Sequence, residues 1–183
     1  MVPGAKFPDF QLPDYTGETH RLSELQRGNP MCLMLARGGY CPKAHQQHLQ
    51  LVKLEPEIKV AYSEIVTIST DNALETMEWI GRLGASWTFL SDTERIVQRD
   101  LEIDEYTDSM HRPMIPHTVM LEPGLVVHSI YMGYWYWGRP TPEEIRQDFR
   151  AITRKCRPDW DLNAPGLREK WAEDNKETFW PYS

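Results

Sequence analysis

The chain has 183 residues, of which 40% are hydrophobic, three cysteines and a formal net charge of −7. That length suits one domain with a sizeable core, and an acidic chain with no basic run argues against nucleic acid or an anionic membrane as a partner. No apolar stretch approaches a membrane span, Met1-Val2-Pro3-Gly4-Ala5-Lys6 lacks the apolar core of a secretory signal, and an odd, widely spaced set of cysteines builds no disulfide framework, so a cytoplasmic protein is expected.

In the first thirty residues Phe10 and Leu12 alternate with polar neighbours before a turn at Gly17 and a second short extended piece, which predicts a small hairpin. Ser23 is placed to cap a single helical turn through Gln26. Met31 to Ala36 is continuously apolar, as a strand buried on both faces is, and Gly38-Gly39 lets the chain turn sharply after Arg37. Pro42 suits the first turn of a helix, and Ala44 to Val52 continues it with Leu49 and Val52 inward until it falters at Pro56. Cys41 then lies at a helix N-terminus, where orphan backbone N–H groups and the dipole favour a thiolate and Arg37 adds a cation. A cysteine taken alone is more often a small buried hydrophobe; strand, glycine turn, Cys-Pro and helix together predict a reactive one. His45 and His48 follow on the same helix face. Three helix-borne ligands without an acidic or thiol fourth make a poor zinc set, so no metal is expected and the histidines take a solvated or supporting place.

The β-branched run from Glu64 to Thr70 predicts a central parallel strand. Asp71-Asn72 then caps a helix over 73–83, where Leu74, Met77 and Ile80 fall at helical spacing and Gly84 ends the element. A short strand is expected at 88–90, and Ser91-Asp92 caps a helix from Thr93 to about Leu101 with Ile96, Val97 and Leu101 inward. Residues 103–114 show no period and lead as a loop into Ile115-Pro116-His117. Thr118 to Leu121 and Leu125 to Ile130, joined by Glu122-Pro123-Gly124, predict an antiparallel hairpin. The aromatic stretch from Tyr131 to Trp137 marks packing or a subunit interface more often than a ligand cage. Thr141 with Glu144 is a capping box with Pro142 at the first helical position, so a helix runs to about Lys155 with Ile145, Phe149 and Ile152 buried and Cys156 on the same inward face. A domain over 1–156 closes there. The extension 157–183, with Leu167, Trp171, Phe179 and Trp180, is expected to pack on the domain or on a neighbouring subunit, with at most one helix at about 166–178.

Four passages stand in order over about residues 3–155: Pro8-Asp9-Phe10-Gln11-Leu12 with Gly17; Arg37-Gly38-Gly39-Tyr40-Cys41-Pro42; Phe89-Leu90-Ser91-Asp92; and Pro113-Met114-Ile115-Pro116 before a strand. Together they resemble the thioredoxin-fold peroxiredoxins of the alkyl hydroperoxide reductase and thiol-specific antioxidant (AhpC/TSA) family. The resemblance implies an α/β thioredoxin-like fold, a mixed central sheet flanked by helices, with an N-terminal β-hairpin and a C-terminal extension. It implies a cis peptide at Pro116 lying against the active-site cysteine, and it makes Cys41 the nucleophile of a thiol-dependent peroxidase. Arg37 or Arg112 would then steady the developing anion, and Gly38, Gly39, Tyr40, Pro42 and His117 would help to seat a hydroperoxide. Ala44 stands where such a loop often carries a second cysteine, so no local disulfide forms and an external reductant is expected, a low-molecular-weight thiol or a thioredoxin-like protein. Three and seven residues before Cys41, where typical members carry Thr or Ser and Pro, this chain has Gly38 and Met34. No cofactor is implied, and a homodimer is compatible with the family. Two other readings stay open: a one-cysteine thiol-disulfide exchange protein, and a thioredoxin-fold binding protein with a degenerate site.

Overall fold

The computed structural model of the chain describes residues 1–134, 137–161 and 163–174. A two-stranded hairpin, β1 (Gln11–Pro13) and β2 (Thr19–Arg21), leads into the short helix α1 (Leu22–Gln26). The capping there differs from the Ser23 expectation. Arg21 is the N-cap, and Ser23 instead donates its backbone N–H and hydroxyl to Asp9, at 2.9 and 2.8 Å.

Five strands make the main sheet: β3 (Met31–Leu35), β4 (Glu64–Ser69), β5 (Thr88–Ser91), β6 (His117–Glu122) and β7 (Val126–Met132), in the order β5-β4-β3-β6-β7. β3, β4 and β5 run parallel, and β6 and β7 are antiparallel, so the sheet is mixed with β3 at its centre. Every residue of β3 is buried, and alternation sorts them by face. Met31, Leu33 and Leu35 join Phe7, Leu12 and Leu22 on the hairpin side, while Cys32 and Met34 meet Leu51, Ile58, Ile145 and Phe149 on the other. Cys32 is completely shielded, and burial with the Asp148 charge pushes its thiol up to about 12. Cys32→Ala is therefore expected to lower stability by about 1–3 kcal/mol in denaturant unfolding and to leave the chemistry at Cys41 unchanged.

The helices are α2 (Pro42–Val60), α3 (Ala73–Leu83), α4 (Ile96–Asp100), α5 (Pro142–Cys156) and α6 (Leu167–Ala172). α2 does not falter at Pro56 but passes through it for 19 residues. An interior proline costs roughly 3 kcal/mol, but Leu54 and Ile58 on either side are buried, and each such side chain contributes about 1.5–3 kcal/mol, so packing carries the helix past it. α3 buries Thr76, Trp79 and Leu83 rather than the Leu74–Met77 stripe, whose two side chains are exposed. The indole decides the face, because it fills the space under the turn after β3. α4 begins three residues later than expected: Asp92 still serves its N-terminus, accepting the N–H groups of Ile96 and Val97 at 2.7 and 3.0 Å across an intervening turn.

α5 keeps its capping box and buries Ile145, Phe149 and Ile152; Cys156, partly exposed, packs against that cluster. A 3-10 turn, Pro158–Trp160, follows, with the Trp160 ring 6.1 Å from Tyr62 and Arg157 buried. The expected helix at 166–178 is seen as α6 over Leu167–Ala172; residues 175–178 lie outside the described residues, as do Trp135 and Tyr136 of the aromatic stretch. Trp137, Met132 and Tyr134 are exposed. Among the described residues no helix is long and apolar enough to cross a membrane.

Candidate active site

Register places Leu35 opposite both Ile68 and His117, and His117 opposite Met132. The chain leaving β3, the chain entering β6 and the chain leaving β7 therefore meet at one end of the sheet, and Cys41 lies there. The turn after β3 is tightly enclosed. Gly38 has φ of +122°, and a Cβ on it would lie 2.3 Å from Asp71 Oδ1, while one on Gly39 would lie 2.7 Å from Trp79 Cγ. Asp71 accepts the Gly39 N–H at 2.7 Å, and burial raises its carboxyl above the usual range. Arg82 donates to the Gly39 carbonyl at 3.1 Å. Beside this turn lies a polar cavity of about 390 Å³ lined by Tyr40, Asp71, Glu78, Arg82 and His111.

Cys41 is the N-cap of α2, with Pro42 in the first helical turn. It is only 3% exposed, where a reactive helix-start thiol is expected to be more open. Ala36, Ala44, Trp79 and Phe89 pack around it, and the loop 104–112 holds the neighbouring Arg37 and Tyr40 in place. Arg37 donates to the Cys41 sulfur from Nη1 at 3.9 Å, and the same guanidinium pairs with Glu105 at 2.8 Å and Asp108 at 3.0 Å. Tyr40 donates its hydroxyl to Asp108 at 3.1 Å, and its ring stacks on His111 with centroids 3.6 Å apart. Burial pushes that hydroxyl up and keeps it a donor. Arg95 holds the far side of the loop by the carbonyls of His111 and Arg112.

The backbone N–H of His111, with its ring and the Tyr40 hydroxyl, holds the Asp108 carboxyl down at about 2. A carboxyl depressed in the folded state contributes stability above its ordinary titration near 3.8 and loses it as pH falls toward 2, so this clasp is fully charged at neutral pH. Asp108→Asn keeps the shape but removes the charge. The variant is expected to speed iodoacetamide alkylation of Cys41; an unchanged or slower rate would show that this loop does not govern access.

A second cation at the cysteine lies outside the sequence expectation. Arg139, in the segment after β7, donates to Gln47 Oε1 on α2, and Gln47 is anchored to Thr118 at 3.1 Å. Burial pulls its pKa down, its Nε finds no hydrogen-bond partner, and no carboxylate pairs with it among the described residues. Gly133 makes room for it: a Cβ there would lie 3.0 Å from Arg139 Cγ. Arg112, by contrast, is exposed, and none of its side-chain contacts reaches Cys41 among the described residues.

Pro116 is buried at the entry to β6, and its carbonyl accepts the Gly133 N–H at 2.7 Å. No described peptide bond is cis, Ile115–Pro116 included, which corrects the expectation at Pro116. Bonds from Ile115 N–H to Ile103 and from Gly133 to Pro116 hold this stretch extended, a path open to the trans isomer that X–Pro bonds favour by about 0.5–1 kcal/mol. His117 is buried, bonded through Nδ1 to the Ile115 carbonyl, and burial lowers its pKa. His48 is not solvated either. It sits fully buried against Trp79, with Nδ1 on the Ala44 carbonyl at 2.8 Å and Nε2 toward Thr67 at 3.1 Å, and burial lowers its pKa to about 4. A carbonyl only accepts, so Nδ1 carries the proton and Thr67 donates to Nε2.

An N-terminal hairpin, a mixed five-stranded sheet and a cysteine at the start of the helix that leaves the central strand define a thioredoxin-fold protein of the peroxiredoxin type. The chain belongs to the AhpC/TSA family, whose model matches residues 3–129. No curated protein matches the sequence. Similar solved structures include peroxidoxin BcpB from Mycobacterium tuberculosis, with a TM-score of 0.70 and 20% identity over 85% of this chain and 97% of that one. A yeast mitochondrial 1-Cys peroxiredoxin has a TM-score of 0.71 and 16% identity over 85% and 78%. A Chlorobium tepidum protein described as the thiol:disulfide interchange protein DsbE has 0.66 and 20% over 83% and 98%. At such identities the likeness is one of fold.

Proposed function

We propose that the protein is a thiol-dependent peroxidase that reduces hydroperoxides through Cys41 alone. The observation that carries this reading is a shielded cysteine at the head of a 19-residue helix with the Arg37 guanidinium donating to its sulfur. The Cys41 thiolate attacks the terminal oxygen of the hydroperoxide and the O–O bond breaks. The alcohol leaves with a proton, and the sulfur, oxidised by two electrons, becomes a sulfenic acid. Arg37 and Arg139 stabilise the charge that passes from sulfur to the leaving oxygen. An external thiol then condenses with the sulfenic acid, releasing water, and a second thiol frees Cys41 as a disulfide leaves. A low-molecular-weight thiol or a thioredoxin-like protein fits that role.

Cys156 is not a resolving partner in this scheme. It packs with the α5 cluster, away from the Ala36–Trp79 cluster that holds Cys41, and a disulfide needs its α-carbons within roughly 5–6 Å. Peptide mapping by mass spectrometry after one equivalent of hydrogen peroxide is expected to give a one-oxygen adduct on Cys41 and no Cys41–Cys156 crosslink. A stoichiometric crosslink would overturn the one-cysteine mechanism, and slow unselective oxidation would overturn the peroxidase.

One observation favours a second reading. Gly38 leaves the peroxide seat without the side-chain hydroxyl typical of the family, which suits mixed-disulfide exchange better. Cys41 would then form a mixed disulfide with a low-molecular-weight disulfide faster than it takes up oxygen from peroxide.

A further inference from the structure

Away from Cys41, the C-terminal half of α2, the outer face of α5 and the Pro158–Trp160 turn enclose an open groove of about 800 Å³. Leu54, Ile58 and Phe149, each at most 6% exposed, form its floor, and the half-buried Ala61, Trp160 and Ala164 form its apolar wall. Along α5 the groove is edged by Arg146, Arg150 and Arg154, spaced four residues apart and so stacked on one helix face. Arg146 is held in place, bonded twice to Glu57 and once to Glu143. Arg150 has only a shared hold on Glu143 at 3.2 Å and is 61% exposed, and Arg154 has no partner among the described residues. The indole N–H of Trp160, shut away from solvent, finds no acceptor there either. The lining sets Arg146, Arg150, Arg154 and Arg157 against Glu57 and Asp161, so in a chain of net charge −7 the groove keeps an excess of positive charge above an apolar floor.

We propose that the groove binds a long-chain carboxylate, its aliphatic chain along Ala61, Trp160 and Ala164 over that floor and its head on Arg150 and Arg154. A guanidinium fork matches a carboxylate in a bidentate pair, and the apolar wall has no use for a small inorganic anion. The volume lies within the range of about 300–1,000 Å³ usual for small-molecule sites. The site is separate from Cys41: Leu54 stands thirteen helical residues along α2, about 20 Å at 1.5 Å per residue.

The test is calorimetric titration of the full chain with tetradecanoate below its micelle concentration, with butyrate and tetradecanol as comparison ligands. Saturable one-to-one binding of tetradecanoate is expected, with butyrate at least 100-fold weaker because it leaves the wall empty. Arg150→Gln/Arg154→Gln, both exposed positions, should weaken tetradecanoate at least 10-fold and tetradecanol by less than twofold, with the rate of Cys41 alkylation unchanged as a check on the fold. Thr153→Trp, which fills the groove from α5, should weaken both long ligands. Absence of saturable binding to the parent chain, or equal affinity in the double-glutamine variant, overturns the proposal. So does a dimer, seen by light scattering, that the double-glutamine variant dissociates, since the face would then belong to a second copy of the chain.

Discussion

Cys41→Ser should consume no peroxide above background with dithiothreitol as reductant, a loss on the order of a thousandfold or more, as for other removed nucleophiles. A serine oxygen is not oxidised by a hydroperoxide as sulfur is, so the proposed cycle is closed to it whatever base stands nearby. His48, the histidine two turns along α2, has its Nδ1 proton on Ala44 and its Nε2 occupied by Thr67. The fold should survive, because Ser is smaller than Cys and can keep the backbone bonds of the N-cap to Gly38 and His45. Circular dichroism melting provides that control. Peroxide turnover persisting in a folded Cys41→Ser protein would remove Cys41 from the chemistry and with it both thiol readings.

Arg139→Met carries the second large effect, and in two directions. Removing a preorganised charge from a shielded reacting centre typically costs about a hundredfold in rate, so oxidation of Cys41 by peroxide should slow by about that factor. Stability should rise. A half-buried cation with no carboxylate partner among the described residues is costly to keep, and an apolar side chain of similar length relieves that cost. Slower oxidation together with a higher melting temperature is the signature of a charge kept for chemistry. Slower oxidation with a lower melting temperature would mean that Arg139 acts by packing against α2, and its place in the proposed mechanism would fall.

The sequence makes the centre of the fold legible where one local rule acts alone. Met31 to Ala36 can be nothing but a doubly buried strand, Gly38-Gly39 has to turn, and Pro42 fits only a helix start, so Cys41 is placed before any contact is known. Helix faces are less legible when a large residue competes with a stripe: Leu74 and Met77 satisfy the helical period, yet Trp79 takes the inside because the glycine turn leaves a space shaped for a ring. The site's electrostatics are hidden for another reason. Residues 104–112 follow no period, and the value of Glu105 and Asp108 comes from Arg37, far away in sequence. Arg139 reaches α2 only because Gly133 lets its side chain pass and Gln47 receives it, a meeting of three segments that no spacing encodes.

The shared allegiance of Arg37 has a consequence for timing. The two partners of a catalytic cycle differ in size: a peroxide is a few atoms across, whereas the thiol that restores the sulfur is a larger molecule or a whole protein. With the loop latched, by Glu105 and Asp108 on Arg37 and by Tyr40 on His111, the first visitor needs far less room than the second. In the proposed cycle oxidation would thus outrun repair, and the interval during which Cys41 waits as a sulfenic acid would be set by how often the latch lets go. That waiting time, rather than the speed of the first encounter, would govern how much of the protein is carried on to irreversible sulfinic acid when peroxide is abundant.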